Sequence, residues 1–81
     1  MHLIERQYPN GDWHVMDRSK DVRVAVREFL SIVGLSLDVV DIARDVRRGQ
    51  TFYGVSKATG RSMRLRDGRV SSETSDRVVL A

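Results

Sequence analysis

Basic residues crowd the stretch 47–69, which holds seven lysines and arginines and one acid. The hairpin predicted there directs Arg64, Arg66 and the ring of Phe52 to its outer side, with Arg61 next to its loop. Guanidinium groups around an aromatic ring can stack nucleic-acid bases and hold phosphates, or pair with carboxylates on an acidic protein. A merely solubilising outer surface, with Arg66 covering Phe52, would use the same residues. We expect Phe52, Arg61, Arg64 and Arg66 to form one partner-binding patch.

Three aspartates form a second candidate contact. Asp38, Asp41 and Asp45 are spaced at i, i+3 and i+7, which places them along one line of a predicted helix. A magnesium site or a carboxylate pair for acid–base catalysis would use such residues, but a solvated helix face is the simpler interpretation. Arg44 and Arg48 are close enough to compensate part of the charge. Because a line of acids can also dock on a basic groove, we expect these aspartates to contact a partner.

The other patterns that could do chemistry are incomplete. His2 and His14 fall near Glu5 in a predicted hairpin, but they lack the i, i+4 spacing of a helical metal-binding pair. Residues 54–60 combine glycines with a lysine, yet they do not match the pattern G-x-x-x-x-G-K-[ST] and no helix follows. No serine is matched with a histidine and an acid in a recognised triad order. We therefore predict a non-enzymatic protein with no catalytic residue, no cofactor and no metal.

Residues 29–44 can also be interpreted as a helix-turn-helix, with Gly34 in the turn and the basic hairpin as a wing. Against this, Leu30 occupies a position where a small residue is usual. The three aspartates would also face the phosphate-lined groove of DNA and repel it. Two packed amphipathic helices are therefore favoured, and a nucleic-acid-binding regulator is the alternative function.

The first of the elements that position these residues is an N-terminal hairpin. Its turn is predicted at Asn10-Gly11, because both residues tolerate a positive φ. A two-residue turn there pairs Tyr8 with Trp13. The buried face of this hairpin is then expected to carry Ile4, Tyr8, Trp13 and Val15.

Two helices follow in the sequence. Ser19 is the predicted N-cap of the first, which covers residues 20–33 and ends at Gly34. Ser36 is the predicted N-cap of the second, which runs to residue 48. Apolar residues recur in both at helical spacing, so each helix has one face to bury.

A second hairpin is predicted from strands 51–57 and 61–66 around a three-residue loop that ends at Gly60. Its register turns Tyr53 and Val55 toward the core. Residues 71–81 form a polar tail in which Val78, Val79 and Leu80 either add an edge strand or stay mobile. An exposed sheet edge would allow two copies to pair.

The predicted fold is α+β in the order ββααββ, with a last β-strand left open. A small antiparallel sheet packs on two central helices, and residues 1–70 form a single domain. The expected core consists of Ile4, Tyr8, Trp13, Val15, Val26, Phe29, Leu30, Val40, Ala43, Tyr53, Val55, Met63 and Leu65.

Composition limits the compartment and the class of partner. The 81 residues include no cysteine, which excludes disulfides and zinc–thiolate sites and suits a reducing cytoplasm. No apolar run reaches the roughly 18–20 residues of a membrane span. Residues 1–46 carry six basic and eight acidic residues, whereas residues 47–81 carry eight basic and three acidic ones. This asymmetry indicates a basic contact surface in the second half.

In its small size, its lack of cysteine and the absence of a catalytic pattern, the chain resembles the small phage-encoded inhibitor proteins, among them the anti-CRISPRs. The resemblance concerns general character and assigns no role to any residue. It implies a stoichiometric inhibitor that occupies a surface of a larger host protein or nucleoprotein complex. A protein or nucleoprotein is thus the expected partner, and nucleic acid bound by the basic hairpin is the alternative.

Overall fold

The structure is a computed structural model in which residues 1–80 are described, and this part of the chain forms two helices and one five-stranded sheet. In chain order the elements are β1 (His2–Gln7), β2 (Trp13–Ser19), α1 (Val22–Val33), α2 (Val39–Arg47), β3 (Thr51–Val55), β4 (Ser62–Asp67) and β5 (Arg77–Val79). The predicted α+β class and the order ββααββ are confirmed. The open question about the tail is answered by β5, and Ala81, the last residue of that tail, lies outside the described residues.

The sheet joins the two hairpins through their inner strands, in the order β2-β1-β4-β3-β5. Strands β1 and β4 pair at its centre, where Ile4 lies opposite Leu65. All neighbours are antiparallel except β3 and β5, so the sheet is mixed. This arrangement leaves β2 and β5 at the edges.

Aspartates rather than the predicted serines begin both helices. The Asp21 carboxylate accepts hydrogen bonds from the backbone N–H groups of Arg23 and Val24, at 2.9 and 3.4 Å. Asp38 does the same at the start of α2. A carboxylate satisfies the free N–H groups and also interacts favourably with the positive end of the helix dipole. Each helix therefore begins two residues later than predicted.

Glycine ends α1 as predicted. Gly34 adopts a left-handed conformation with φ of 73°, and its N–H donates to the Leu30 carbonyl at 2.9 Å. The N–H of Leu35 donates to the same carbonyl at 3.1 Å, which closes the last turn. The chain then reverses toward α2, which packs against α1.

The hydrophobic core lies between the two helices and one face of the sheet. Phe29 of α1 and Val46 of α2 are completely buried there. Helix α1 approaches β3 so closely that a Cβ atom on Gly54 would lie 2.7 Å from Cγ1 of Val33. Of the predicted core residues, those that are buried are Ile4, Val26, Phe29, Leu30, Ala43, Met63 and Leu65.

The register predicted for the first hairpin is wrong by one residue. The Tyr8 N–H donates to the Asp12 carbonyl at 2.8 Å, and the Gly11 N–H donates to the Tyr8 carbonyl at 2.9 Å. The loop thus contains three residues, because the fixed φ of Pro9 suits the second position of a type I turn and Gly11 takes the positive φ that follows. Trp13 then pairs with Gln7 instead of Tyr8.

The second hairpin is also shifted by one residue from its predicted register. Gly60 has the predicted positive φ, but the Ser56 N–H pairs with the Arg61 carbonyl at 2.8 Å, so the loop has four residues. The N–H of Lys57, predicted to pair within the hairpin, donates instead to the Ile32 carbonyl of α1 at 2.9 Å. Phe52 consequently lies opposite Leu65 in the core.

These two shifts move side chains from one face of the sheet to the other, because strand residues alternate between faces. Val15 and Val55, predicted to be buried, are exposed, and Tyr8, Trp13 and Tyr53 are only half-buried. Val40 is exposed for a different reason, since α2 turns Ile42, Ala43 and Val46 inward.

Candidate binding face

The side of the sheet opposite α1 and α2, here called the uncovered face, carries several large side chains. Strand alternation and pairing place on it Leu3, Glu5, Gln7, Trp13, Val15, Tyr53, Val55, Arg64, Arg66, Arg77 and Val79. Part of this face is a groove of about 720 Å³ that is lined by Trp13, Tyr53, Arg64 and Arg77. Ser72, Glu73 and Ser75, from the segment between β4 and β5, form one wall of the groove.

Two arginines and two aromatic rings stand in a row along the groove, and we call them the aromatic–arginine row. The guanidinium carbon of Arg64 lies 4.3 Å from the ring centre of Trp13. The Trp13 and Tyr53 rings meet edge to face at 5.9 Å, and Arg77 stacks on Tyr53 at 4.1 Å. Each neighbour therefore contacts the next through a cation–π or aromatic interaction, which fixes the positions of both rings.

The buried carboxylate of Glu5 holds the arginine at one end of this row. Oε1 of Glu5 accepts hydrogen bonds from Nε of Arg64 at 2.8 Å and from Nε of Arg66 at 2.6 Å. Glu5 is 4% exposed and Arg64 is 8% exposed. Burial alone would raise the pKa of Glu5, but the hydrogen bonds and charges of the two arginines together bring that pKa below its ordinary value. Glu5 is consequently ionised and holds both arginines in place.

Arg66 connects the same carboxylate to the segment between β4 and β5. Its Nη1 donates to the Val70 carbonyl at 2.9 Å. Farther along, the Thr51 N–H donates to the Asp76 carbonyl at 2.9 Å, and the Thr51 and Ser75 hydroxyls are 2.6 Å apart. The segment between β4 and β5 is thus attached to the sheet near both of its ends.

The structure separates the four residues of the predicted basic patch. Arg64 and Arg66 share the uncovered face, but their Nε groups are engaged by Glu5. Phe52 was expected beside them and is instead 3% exposed in the core, because of the shifted register. Arg61 is exposed next to the hairpin loop. A partner-binding role for these four residues stays a prediction, and only the arginines are accessible or near the groove.

The three aspartates do not form a free acidic line. The Asp38 carboxylate is used in capping α2. Asp41 and Asp45 both lie within ion-pair distance of Arg44, at 3.4 and 3.5 Å. Asp41 keeps an exposed side chain, so its partner-binding role also stays a prediction.

The geometry offers little support for a helix-turn-helix with a wing. The N-terminus of α2, which would enter the DNA groove, carries Asp38 and Asp41. Strand β4, half of the supposed wing, lies at the centre of the sheet and pairs on both sides. The two histidines are likewise separated: His14 stacks on Tyr8 at 3.9 Å, and His2 Nδ1 lies 3.2 Å from the Ser19 carbonyl.

Sequence reasoning missed Trp13, Tyr53 and Arg77 as site residues. One signal in the sequence could have revealed Trp13. A proline before Asn10-Gly11 favours a three-residue loop, and that loop turns Trp13 outward. Glu5, if buried, requires a basic partner, which points to the arginines of β4 that were already predicted. No signal in the sequence marked Tyr53 or Arg77.

The uncovered face presents ring faces, guanidinium groups and valines, which bind ligands through stacking, charge and apolar contact. Within residues 1–80, no three or more His, Asp or Glu side chains are grouped so that they could hold a metal ion. None of the helices in that range is long and apolar enough to cross a membrane. No family model, curated protein or solved structure matches the chain.

Proposed function

We propose that this protein is a non-enzymatic binding protein of the cytoplasm that holds a larger partner on the uncovered face of its sheet. The observation that carries the proposal is the aromatic–arginine row, which lies on a sheet face that neither helix covers. Tryptophan, tyrosine and arginine are the residues that contribute most to binding energy at protein interfaces. The resemblance in general character to phage-encoded inhibitors supports a stoichiometric inhibitor of a host protein or nucleoprotein complex.

The row is held rigid before any partner arrives, which favours tight binding. Arg64 is fixed by Glu5 and in turn lies against Trp13. Side chains that are already ordered lose little conformational entropy when a ligand binds, so more of the contact energy appears as affinity. Val55 and Val79, which are 55% and 71% exposed, add apolar area at the groove.

The chemistry of the face favours binding over catalysis. Glu5, the acid at its centre, is buried, is engaged by two arginines and has a lowered pKa. A general base needs a pKa close to the working pH and direct access to a substrate proton. Glu5 has neither property, which supports a role in positioning Arg64 and Arg66.

The proposal is tested by capture of partners from the native host with matched variants. The double variant Trp13→Ala plus Arg77→Ala removes a ring and a charge from the uncovered face. The control, Val24→Ala plus Arg27→Ala, removes exposed apolar and basic side chains from α1, on the opposite side of the sheet. We expect the wild type and the control to retain the same partner and the double variant to lose it. Equal retention by all three proteins would contradict the proposal.

A further inference from the structure

Resting on the proposed binding role, we infer that the ligand of the uncovered face is single-stranded nucleic acid. Bases stack on Trp13 and Tyr53, and Arg77 contacts the phosphates. Proteins that bind single strands combine aromatic rings, on which successive bases stack, with a positively charged groove along the backbone. Both features meet in the groove on this face.

The rings are suitably placed for stacking. Trp13 lies against Arg64 on one side and remains only half-buried, and Tyr53 is half-buried beside it. The two rings belong to strands on opposite sides of the central pair, β1 and β4. They therefore present ring surface across the width of the sheet, where unpaired bases can lie against it.

The charge around the rings selects an anionic ligand. Arg77 is exposed beside Tyr53, and both residues line the groove. Glu5 neutralises only one of the two positive charges of Arg64 and Arg66, and Glu73 is the acid in the wall. The chain as a whole has a formal charge of +3. A phosphate backbone is complementary to this distribution.

Single-stranded nucleic acid fits these contacts better than a duplex or an acidic peptide does. The bases of a duplex are stacked on one another and present only their edges to a protein. An acidic peptide binds most strongly to guanidinium groups that are free to form two parallel hydrogen bonds. The Nε donors of Arg64 and Arg66 are already used by Glu5. Trp13 and Tyr53 each carry an arginine on one side, but they are only half-buried and keep exposed surface for bases.

The test uses the intrinsic fluorescence of Trp13, the only tryptophan in the chain. The wild-type protein is titrated with an oligothymidylate of about 12 nucleotides, with rising NaCl in parallel samples. We expect saturable quenching at low salt, with Kd rising steadily as salt increases. Anisotropy of the labelled oligonucleotide then gives Kd for the variants. Tyr53→Ala is expected to weaken binding about 5- to 150-fold, which is the range for loss of one stacked base.

Matched variants locate the site. Arg77→Ala is expected to reduce the slope of log Kd against log salt by about 0.7, the loss of one phosphate contact on a single strand. Arg27→Ala, the same change on exposed α1, is expected to leave Kd within about twofold. Trp13→Phe keeps a ring and is expected to bind more tightly than Trp13→Ala, and circular dichroism confirms that each variant is folded.

Three outcomes would overturn the inference. One is an absence of quenching and of anisotropy change at low salt, and another is equal competition by a duplex of the same sequence. The third is binding that the Trp13, Tyr53 and Arg77 variants leave unchanged. If oligonucleotides fail but Trp13→Ala plus Arg77→Ala still loses the captured partner, the partner is a protein and the binding role stands. If that double variant retains the partner, the binding role fails as well.

Discussion

Arg64 lies between a buried acid and an indole ring, with its guanidinium carbon 4.3 Å from the ring centre of Trp13. Trp13 belongs to the edge strand β2, whereas Arg64 belongs to the central strand β4, and β1 separates them. The arginine reaches across β1 because Glu5, on that strand, accepts its Nε–H at 2.8 Å. A charged pair in the sheet thereby determines where the largest ring of the uncovered face stands.

Substitution of Glu5 by glutamine should destabilise the fold. The change leaves buried Arg64 and partly buried Arg66 without the negative charge that compensates them. Breaking a buried ion pair from one side costs about 3–5 kcal/mol, and we expect a value near 3 kcal/mol, since the amide oxygen still accepts one hydrogen bond. Urea unfolding measures this loss. Glu73→Gln, at an exposed acid, should stay within about 0.5 kcal/mol of wild type, and an equal effect of both would argue against the role of Glu5.

Glu5 should also make the stability of the fold depend on pH. The folded-state pKa of Glu5 is lowered below its ordinary value of 4.5, so its contribution to stability is present above pH 4.5. That contribution is lost as the pH falls through the folded-state pKa, because the unfolded chain takes up the proton more readily. Asp67, whose pKa is also lowered, adds to the loss below its ordinary value of 3.8. The free energy of unfolding should fall below pH 4.5 in the wild type and less steeply in Glu5→Gln.

The contribution of Glu28 to stability should depend on pH in the opposite direction. Its carboxyl shares a hydrogen bond with that of Asp17, and this contact, helped by burial, raises the pKa of Glu28 above 4.5. The stabilisation is therefore present below pH 4.5 and is lost as the pH rises through the folded-state pKa, where two carboxylates face each other. Glu28→Gln keeps a hydrogen-bond donor without the charge. Thermal unfolding should give a higher Tm than wild type at pH 7, and a lower Tm there would contradict the repulsion.

A side chain at position 54 should destabilise the fold while Val33 is present. A Cβ atom there would lie 2.7 Å from Val33 Cγ1, so Gly54→Ala forces the Val33 side chain or its helix to move. Overpacking of this kind costs about 1–3 kcal/mol. Shortening of the opposing side chain in Gly54→Ala plus Val33→Ala should recover part of that cost. The coupling is measured by a double-mutant cycle of unfolding free energies, and strictly additive effects would rule out the contact.

The order of elements could be predicted from the sequence because its determinants are local. Gly34 and Gly60 adopt the positive φ expected of them, and hydrophobic spacing identified both helices. The registers of the two hairpins were harder to predict from the sequence. The second depends on a hydrogen bond from Lys57 to the Ile32 carbonyl of α1, a tertiary contact that no turn pattern in the hairpin itself contains.

The sequence predicted the kind of site, an aromatic ring among arginines, but not which aromatic residues form it. An aromatic ring among arginines was expected on the outer face of the second hairpin, and a one-residue shift replaced Phe52 by Tyr53 in that position. Trp13, in the first hairpin, faces the same side because the register of that hairpin is also shifted by one residue. The pairing of β1 with β4, which brings Glu5 to the arginines, joins distant parts of the chain and depends on the packing of the whole core.

The central claim, that the uncovered face binds the partner, is tested most directly by fluorine NMR of protein labelled with 5-fluorotryptophan. The chain has one tryptophan, so the spectrum contains one resonance, from Trp13. We predict that addition of the captured partner, whether protein or nucleic acid, shifts or broadens this resonance until the partner is in stoichiometric excess. A resonance that stays unchanged at saturation would place the binding site elsewhere and contradict the claim.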